Sequence, residues 1–358
     1  MREEHTDLLV IGWGKGGKTL AAAAGAAGRR VAVVEQDPGM AGGSCINIAC
    51  VPTKALIHDA DARRPGDDPQ RYFKAAVSRR DAIVGAMRNT NFEKLNTLGS
   101  VLLVTGHARF VGPRTVEVTA GEDVLRISAA TVVINTGSVP TVPPIEGARI
   151  GGRIHDSETL QHVHSLPERL VVVGGGYVGL EFASMFAHYG SAVTVLDRGP
   201  RPLRHEDPDV AATAAAALKA DGVRLVTGAS VTRVEDGADA ATVSYTVGGT
   251  GHTIEADAVL IALGRTPATG DLGLEKAGVD IDGHGAVVVD ARLATTAEGV
   301  YAVGDVNGGP QFTYISLDDY RVVADQLTDT GTGTRTTTDR VAVPYTIFLT
   351  PPLARVGL

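Results

Sequence analysis

Cysteine is scarce: the 358 residues contain two. Both lie in one segment, Gly42-Gly43-Ser44-Cys45-Ile46-Asn47-Ile48-Ala49-Cys50-Val51-Pro52-Thr53-Lys54. A single bridge closing so short a loop would stabilise a chain of this length very little. Two cysteines without a nearby histidine or a second cysteine pair make a poor zinc site. Redox chemistry is the reading that remains, beside a pair of inert, buried thiols. Positive charge is also in deficit. With 33 Lys and Arg against 41 Asp and Glu, the net charge of −8 gives no electrostatic footprint for nucleic acid. Long apolar runs are missing, and none reaches the length that spans a bilayer. The start, Met1-Arg2-Glu3-Glu4-His5-Thr6-Asp7, lacks the basic and apolar regions of a signal peptide. The expectation is a cytoplasmic protein with neither membrane nor nucleic acid as partner. In that reducing compartment a close cysteine pair is more often catalytic than structural.

Apolar residues make up 44% of the chain and glycine contributes 44 residues, several in patterned positions. The length predicts two or three domains with a real core. Leu8-Leu9-Val10-Ile11 reads as a buried strand. It runs into Gly12-Trp13-Gly14-Lys15-Gly16-Gly17, an Ala-rich helix over 19–27 and a second strand, Val31-Ala32-Val33-Val34, that ends on Glu35. This order of strand, glycine turn, helix, strand and acid makes the GxGxxG match specific. Gly12 permits the tight turn, Gly14 the approach of a pyrophosphate and Gly17 the packing of helix on strand. Glu35 would accept hydrogen bonds from a ribose, and phosphates would lie at the helix N-terminus. A tight turn without ligand is the plainer alternative.

The same grammar returns at Leu170-Val171-Val172-Val173, Gly174-Gly175-Gly176-Tyr177-Val178-Gly179, a helix through Glu181 to Tyr189, and a strand ending on Asp197. Two fingerprints imply two dinucleotides. The proline-rich stretch 138–147 and Gly264-Arg265-Thr266-Pro267 read as crossings between domains. The expected fold class is α/β, with two Rossmann-like, three-layer domains and one inserted in the other. Residues 1–147 and 272–340 would form the first and 148–271 the second. The stretch 328–338 reads as an exposed loop.

These residues resemble the flavoprotein disulfide reductases, a family that includes glutathione reductase, dihydrolipoamide dehydrogenase and mercuric reductase. The resemblance covers essentially the whole chain. It rests on both fingerprints, the cysteine segment with Pro52-Thr53-Lys54, Asn135-Thr136-Gly137-Ser138, Gly264-Arg265-Thr266-Pro267 and Gly304-Asp305. The stretch 311–321, with Phe92 and Ile57-His58-Asp59-Ala60, resembles one branch, the bacterial reactive-chlorine-resistance flavoproteins described as reducing copper(II).

The resemblance implies FAD on the first fingerprint and a nicotinamide nucleotide, NADH or NADPH, on the second. The FAD site would comprise Gly12, Gly14, Gly17, Glu35, Gly43, Ser44, Gly106, Ala108, Thr136, Gly137, Ser138 and Asp305. The nicotinamide site would comprise Gly174, Gly176, Tyr177, Gly179, Glu181, Asp197 and Gly264. Cys50 would be the charge-transfer thiol and Cys45 the thiol that exchanges with substrate. A helix starting near Pro52 would favour the Cys50 thiolate. Lys54 would sit by the flavin and pair with Glu181. Tyr177 would be the gate that nicotinamide displaces; a packed core tyrosine is the alternative. Asp197 favours NADH, although Arg198 and Arg201 could accommodate a 2′-phosphate.

His107, His155, His162, His164, His188, His252 and His284 read as unpaired surface or loop histidines. His58 reads as the same, or as a substrate or metal contact. No residue is assigned as a ligand of a resident metal. Residues 341–358 would be the first strand of an interface domain that makes relatives homodimeric and supplies a His-Glu acid/base pair. Nothing in this sequence matches that pair, so the expectation is a truncated chain, monomeric, with its apolar end exposed and with weak dithiol turnover. The expected activity is an NAD(P)H-dependent flavoprotein oxidoreductase whose electron acceptor is a metal ion such as copper(II), or a small-molecule oxidant. The alternatives are a dithiol reductase or dihydrolipoamide dehydrogenase, and a redox-sensing flavoprotein fragment without turnover.

Overall fold

The computed structural model describes residues 2–327 and 331–357. Two compact units divide the chain. The first comprises Met1–Asn47, Val84–Val139 and Thr266–Val343, the second Ile48–Ile83, Pro140–Arg265 and Pro344–Leu358.

In the first unit, four parallel strands stand in the order Val101–Thr105, Val31–Glu35, Arg2–Ile11 and Asp123–Ile134. The last also pairs parallel with Val300–Ala302 and antiparallel with Thr115–Ala120, which continues to His107–Gly112. The alternation of the strands builds two cores. Leu8, Val10, Val31 and Val33 face the helices Lys15–Ala26 and Thr313–Leu327 and bury with Leu20, Val322 and Val323. Leu9, Ile11, Ala32 and Val34 point to the other side and bury with Phe110, Val116, Leu274 and Val287. A strand buried on both faces reads as a continuous apolar run, as Leu8 to Ile11 does.

The second unit repeats this logic. Arg224–Thr227, Ala192–Asp197, Arg169–Val173, Ala258–Ile261 and Ile154–His155 form a parallel sheet in that order. Leu170 and Val172 bury against Phe182 and Phe186 of the helix Tyr177–Tyr189. Val171 and Val173 bury against Val234 and Val243, from the antiparallel sheet Ala229–Asp236, Ala241–Val247 and Thr250–Ala256. Each unit is thus a three-layer α/β domain of Rossmann type.

The division by packing differs from the expected division by cofactor. Residues 48–83 group with the second unit because Leu56, Ile57, Ala60, Phe73 and Ala76 bury with Phe182, Phe186 and Tyr189. The Phe73 ring meets Tyr189 edge-on at 5.0 Å. Burying a side chain such as Phe73 contributes roughly 1.5–3 kcal/mol.

The apolar end is not wholly exposed, contrary to expectation. Tyr345–Ile347 and Leu353–Arg355 pair as a hairpin, and Ile347 and Leu349 bury in the core of the second unit. Val341 and Val356 remain exposed. Of the loop expected over 328–338, residues 328–330 lie outside the described residues. The rest closes on a short helical turn, Thr337–Asp339, with a capping box from Thr336.

Candidate active site

Both fingerprints fold by the same device. The strand that opens each fingerprint stops at a glycine with positive φ, 93° at Gly12 and 114° at Gly174. A Cβ on Gly12 would lie 2.4 Å from the Asn135 carbonyl oxygen, and one on Gly174 would lie 2.4 Å from that of Ala262. No side chain fits there, so only glycine makes the turn. The acid that ends the second strand then ties down the loop. The Trp13 N–H donates to Glu35 Oε2 at 3.1 Å, and the Gly175 N–H donates to Asp197 Oδ2. Gly14 and Gly176 are the N-cap residues of the helices Lys15–Ala26 and Tyr177–Tyr189. Gly17 and Gly179 bring each helix against its strand, where a Cβ would fall 2.5 Å from Val10 and 2.1 Å from the Gly174 carbonyl.

Around the first loop, Glu35 also accepts from the N–H groups of Gln36 and Asp37, and burial pushes its carboxyl up against these donors. Its carbonyl accepts the Gly106 N–H, next to buried Ala108. Ser44 opens a short helix, Ser44–Asn47, that carries Cys45. The Thr136 hydroxyl donates to the Ala268 carbonyl, and the Ser138 hydroxyl donates to Asp305 Oδ2 at 2.8 Å.

The residue that joins these pieces, Asn135, stood in the sequence only as the start of the motif Asn135-Thr136-Gly137-Ser138, with no role assigned to it. Asn135 is 4% exposed; its Oδ1 accepts the Gly17 N–H at 2.9 Å and its Nδ2 donates to the Val303 carbonyl at 2.8 Å. Asp319 was missed as well. It accepts the Gly304 N–H, beside Asp305, and pairs with Arg340. Such partners are far apart in sequence and leave no local pattern.

In the second unit the cysteine helix runs Cys50–Asp61, starting at Cys50 itself and two residues before Pro52. Cys50 therefore occupies the positive helix end directly, a position that favours thiolate. One turn on, Lys54 Nζ lies 2.6 Å from Glu181 Oε2. Glu181 Oε1 accepts the Phe348 N–H at 2.9 Å, and the Lys54 ammonium stands 4.5 Å from the centre of the Phe348 ring. Tyr177, first in its helix, donates from its hydroxyl to Glu206 Oε1 at 2.7 Å.

Asp197 Oδ1 accepts the Gly199 N–H at 2.6 Å. The Arg201 guanidinium donates to the carbonyls of Glu206 and Arg204, which engages it within its own loop. Gly264, with φ 106°, accepts the Thr141 N–H on its carbonyl. His188 is a correction to the unpaired histidines. Its Nδ1 lies 2.7 Å from Asp61 and its Nε2 lies 3.1 Å from Asp221, because its helix packs beside both. His58 is exposed.

The residues present fit two dinucleotides. Each glycine loop ends at a helix N-terminus, and a Cβ on Gly137 or Gly176 would meet nothing within 4 Å, which leaves open backbone where a phosphate-bearing chain is accommodated. The comparisons with known proteins agree. The family model for pyridine nucleotide-disulphide oxidoreductases matches residues 6–319. The probable pyridine nucleotide-disulfide oxidoreductase RclA of Escherichia coli (strain K12) is 44% identical over 350 residues, covering 98% of this chain and 76% of that protein. A mercuric reductase of Streptomyces lividans is 35% identical over 372 aligned positions, covering 100% of this chain and 77% of that protein. A solved Cu(II) complex of the HOCl-induced flavoprotein disulfide reductase RclA from Escherichia coli superposes with a TM-score of 0.93 at 43% identity, covering 99% of this chain and 78% of that one. The chain belongs to the pyridine nucleotide-disulphide oxidoreductase family, NAD(P)H-dependent flavoproteins that use FAD.

Proposed function

We propose that this chain passes electrons from NADH through FAD to a Cys45–Cys50 disulfide, and from the resulting dithiol to a metal ion of copper(II) type. FAD is assigned to residues 1–147 and 272–340 and the nicotinamide nucleotide to 148–271, in the cytoplasm. The observation that carries the reading is the Lys54–Glu181 ion pair. It joins the helix opened by Cys50 to the helix of the second fingerprint, within one compact unit.

When bound, FAD accepts a hydride from reduced nicotinamide and hands the electron pair to a disulfide. The chain's residues do the rest. Glu35 would hold the adenosine ribose and Asp305 the ribityl chain, with Gly43, Ser44, Thr136 and Gly137 along the cofactor. Cys50, at the start of its helix, would be the charge-transfer thiol. Cys45 exchanges with the acceptor. Lys54, fixed by Glu181, would supply the cation of the flavin site. The balance is NADH, a proton and the disulfide giving NAD+ and the dithiol. The dithiol then gives one electron to each of two copper(II) ions, which become copper(I), and loses its two protons as the disulfide re-forms.

NADH is favoured because the Asp197 carboxylate ends its strand facing the loop glycines, where a 2′-phosphate would meet like charge. Arg201, one of the two cations that could offset that repulsion, is already committed to backbone carbonyls, and Arg198 is exposed. The copper acceptor draws on the solved relative described as a Cu(II) complex and on the relative named a mercuric reductase.

The test is steady-state turnover with NADH and NADPH against copper(II), with a copper(I) chelator as reporter, beside lipoamide and glutathione disulfide. Copper(I) formation that exceeds dithiol turnover supports the reading. Efficient lipoamide or glutathione reduction without copper(I) would replace it with a dithiol reductase. Oxidation of one NADH per cysteine pair, followed by arrest, would replace it with a redox sensor.

A further inference from the structure

Glu206 is a nearly buried carboxylate that neither fingerprint requires, with its side chain 2% exposed. Three groups converge on it. The hydroxyls of Tyr177 and Tyr345 both donate to Oε1, and Arg355 Nη1 lies 3.2 Å from Oε2. Arg355 also donates to the Tyr345 hydroxyl at 3.3 Å. The two phenol oxygens are 3.3 Å apart, and the two rings lie 5.4 Å apart at 35°. The hydrogen bonds from Tyr345, Tyr177 and Arg355 outweigh burial and hold the Glu206 carboxyl below the ordinary glutamate value, which keeps it an anion at neutral pH.

We propose that Glu206 is a positioning residue for Tyr177: its carboxylate, braced by Arg355 and shared with Tyr345, tethers the Tyr177 ring and sets the free energy of moving it. The proposal rests on the reading of Tyr177 as the side chain that nicotinamide displaces. A swing of that ring parts its hydroxyl from Glu206 Oε1. A hydrogen bond to a charged acceptor contributes more than one to a neutral acceptor, so the charge on Glu206 makes the swing costlier. Tyr345 competes for the same oxygen. Removing the Tyr345 hydroxyl therefore tightens the hold on Tyr177, whereas removing the charge loosens it.

The test is calorimetric titration of the FAD-loaded protein with NAD+, which binds without reducing it. ADP-ribose, which lacks the nicotinamide, serves as control. Glu206→Gln and Tyr177→Phe are expected to tighten NAD+ by about fivefold, equivalent to roughly 1 kcal/mol at 1.4 kcal/mol per tenfold. Tyr345→Phe is expected to weaken NAD+, and ADP-ribose affinity should be unchanged in all three variants. Opposite signs at Glu206 and Tyr345 with a constant ADP-ribose affinity are not the mark of general loosening. Tyr177→Ala separates the two ideas. If Tyr177→Ala tightens NAD+ while Tyr177→Phe and Glu206→Gln leave it unchanged, the tether is wrong and the gate stands. If Tyr177→Ala leaves NAD+ unchanged, the gate reading fails and the tether with it. Should Glu206→Gln not fold, Tyr177→Phe and Tyr345→Phe carry the same opposite signs and decide the matter.

Discussion

Lys54 and Glu181 form an ion pair of 2.6 Å that is largely removed from water, with side-chain exposures of 32% and 11%. Each partner has one further tie to the same residue: Glu181 accepts the Phe348 N–H, and Lys54 lies over the Phe348 ring. Pairs at this depth are valued more by what their rupture leaves behind than by their Coulomb energy. Lys54→Met leaves the Glu181 carboxylate with the Phe348 N–H alone, and we expect a loss of about 1–3 kcal/mol in urea unfolding. A double-mutant cycle with Glu181→Gln should return a coupling of about 1 kcal/mol. Strictly additive losses would show that the pair is incidental.

The cysteines should separate by role. With its remaining thiol reduced, Cys45→Ser retains Cys50 at the helix end and should keep a long-wavelength thiolate-to-flavin absorption, whereas Cys50→Ser should lack it. Both variants should lose acceptor turnover. Absorption that survives in Cys50→Ser but not in Cys45→Ser would reverse the assignment.

Asn135 is expected to be structural to the first loop. Asn135→Ala strips the Gly17 N–H and the Val303 carbonyl of their partners together. At about 1–3 kcal/mol for each buried group left unsatisfied, the variant should lose about 2–6 kcal/mol of stability. Its FAD content after purification should fall as well. Wild-type stability and full flavin loading would contradict this account.

Acid should report on Glu206. Its carboxyl is held below the ordinary value of 4.5 by the donors around it, against the opposing effect of burial. A group whose folded value is depressed contributes stability above the unfolded value and loses it as pH falls through the folded value. Unfolding free energy should therefore fall on acidification below about 4.5, and fall less steeply in Glu206→Gln. Parallel pH profiles for the two proteins would remove Glu206 from the acid response.

What could be read in the sequence was whatever a short spacing encodes. Gly12 with Glu35 and Gly174 with Asp197 announced both loops, because turn, helix start and ribose acid recur at fixed distances along one chain. The Lys54–Glu181 pair was legible only through the family resemblance, since the two lie 127 residues apart. Asn135 joins Gly17 and Val303 across 118 and 168 positions, and Tyr345 reaches Glu206 across 139. No local period marks such partners; they are set by which strand ends the sheet brings together. The grouping of 48–83 with the second unit was hidden for a similar reason. Leu56 and Phe73 look like any helix's apolar face until Phe186 and Tyr189 are seen to cover them. His188 looked solitary because its carboxylates, Asp61 and Asp221, come from distant segments.

The central claim is that NADH electrons reach the cysteine pair through FAD. Anaerobic titration of the purified protein with NADH, followed by visible absorption, tests it most directly. We predict a yellow protein whose flavin absorption bleaches and which gains a long-wavelength charge-transfer band that disappears in Cys50→Ser. A colourless protein, or a bound flavin that NADH leaves oxidised, would contradict the account.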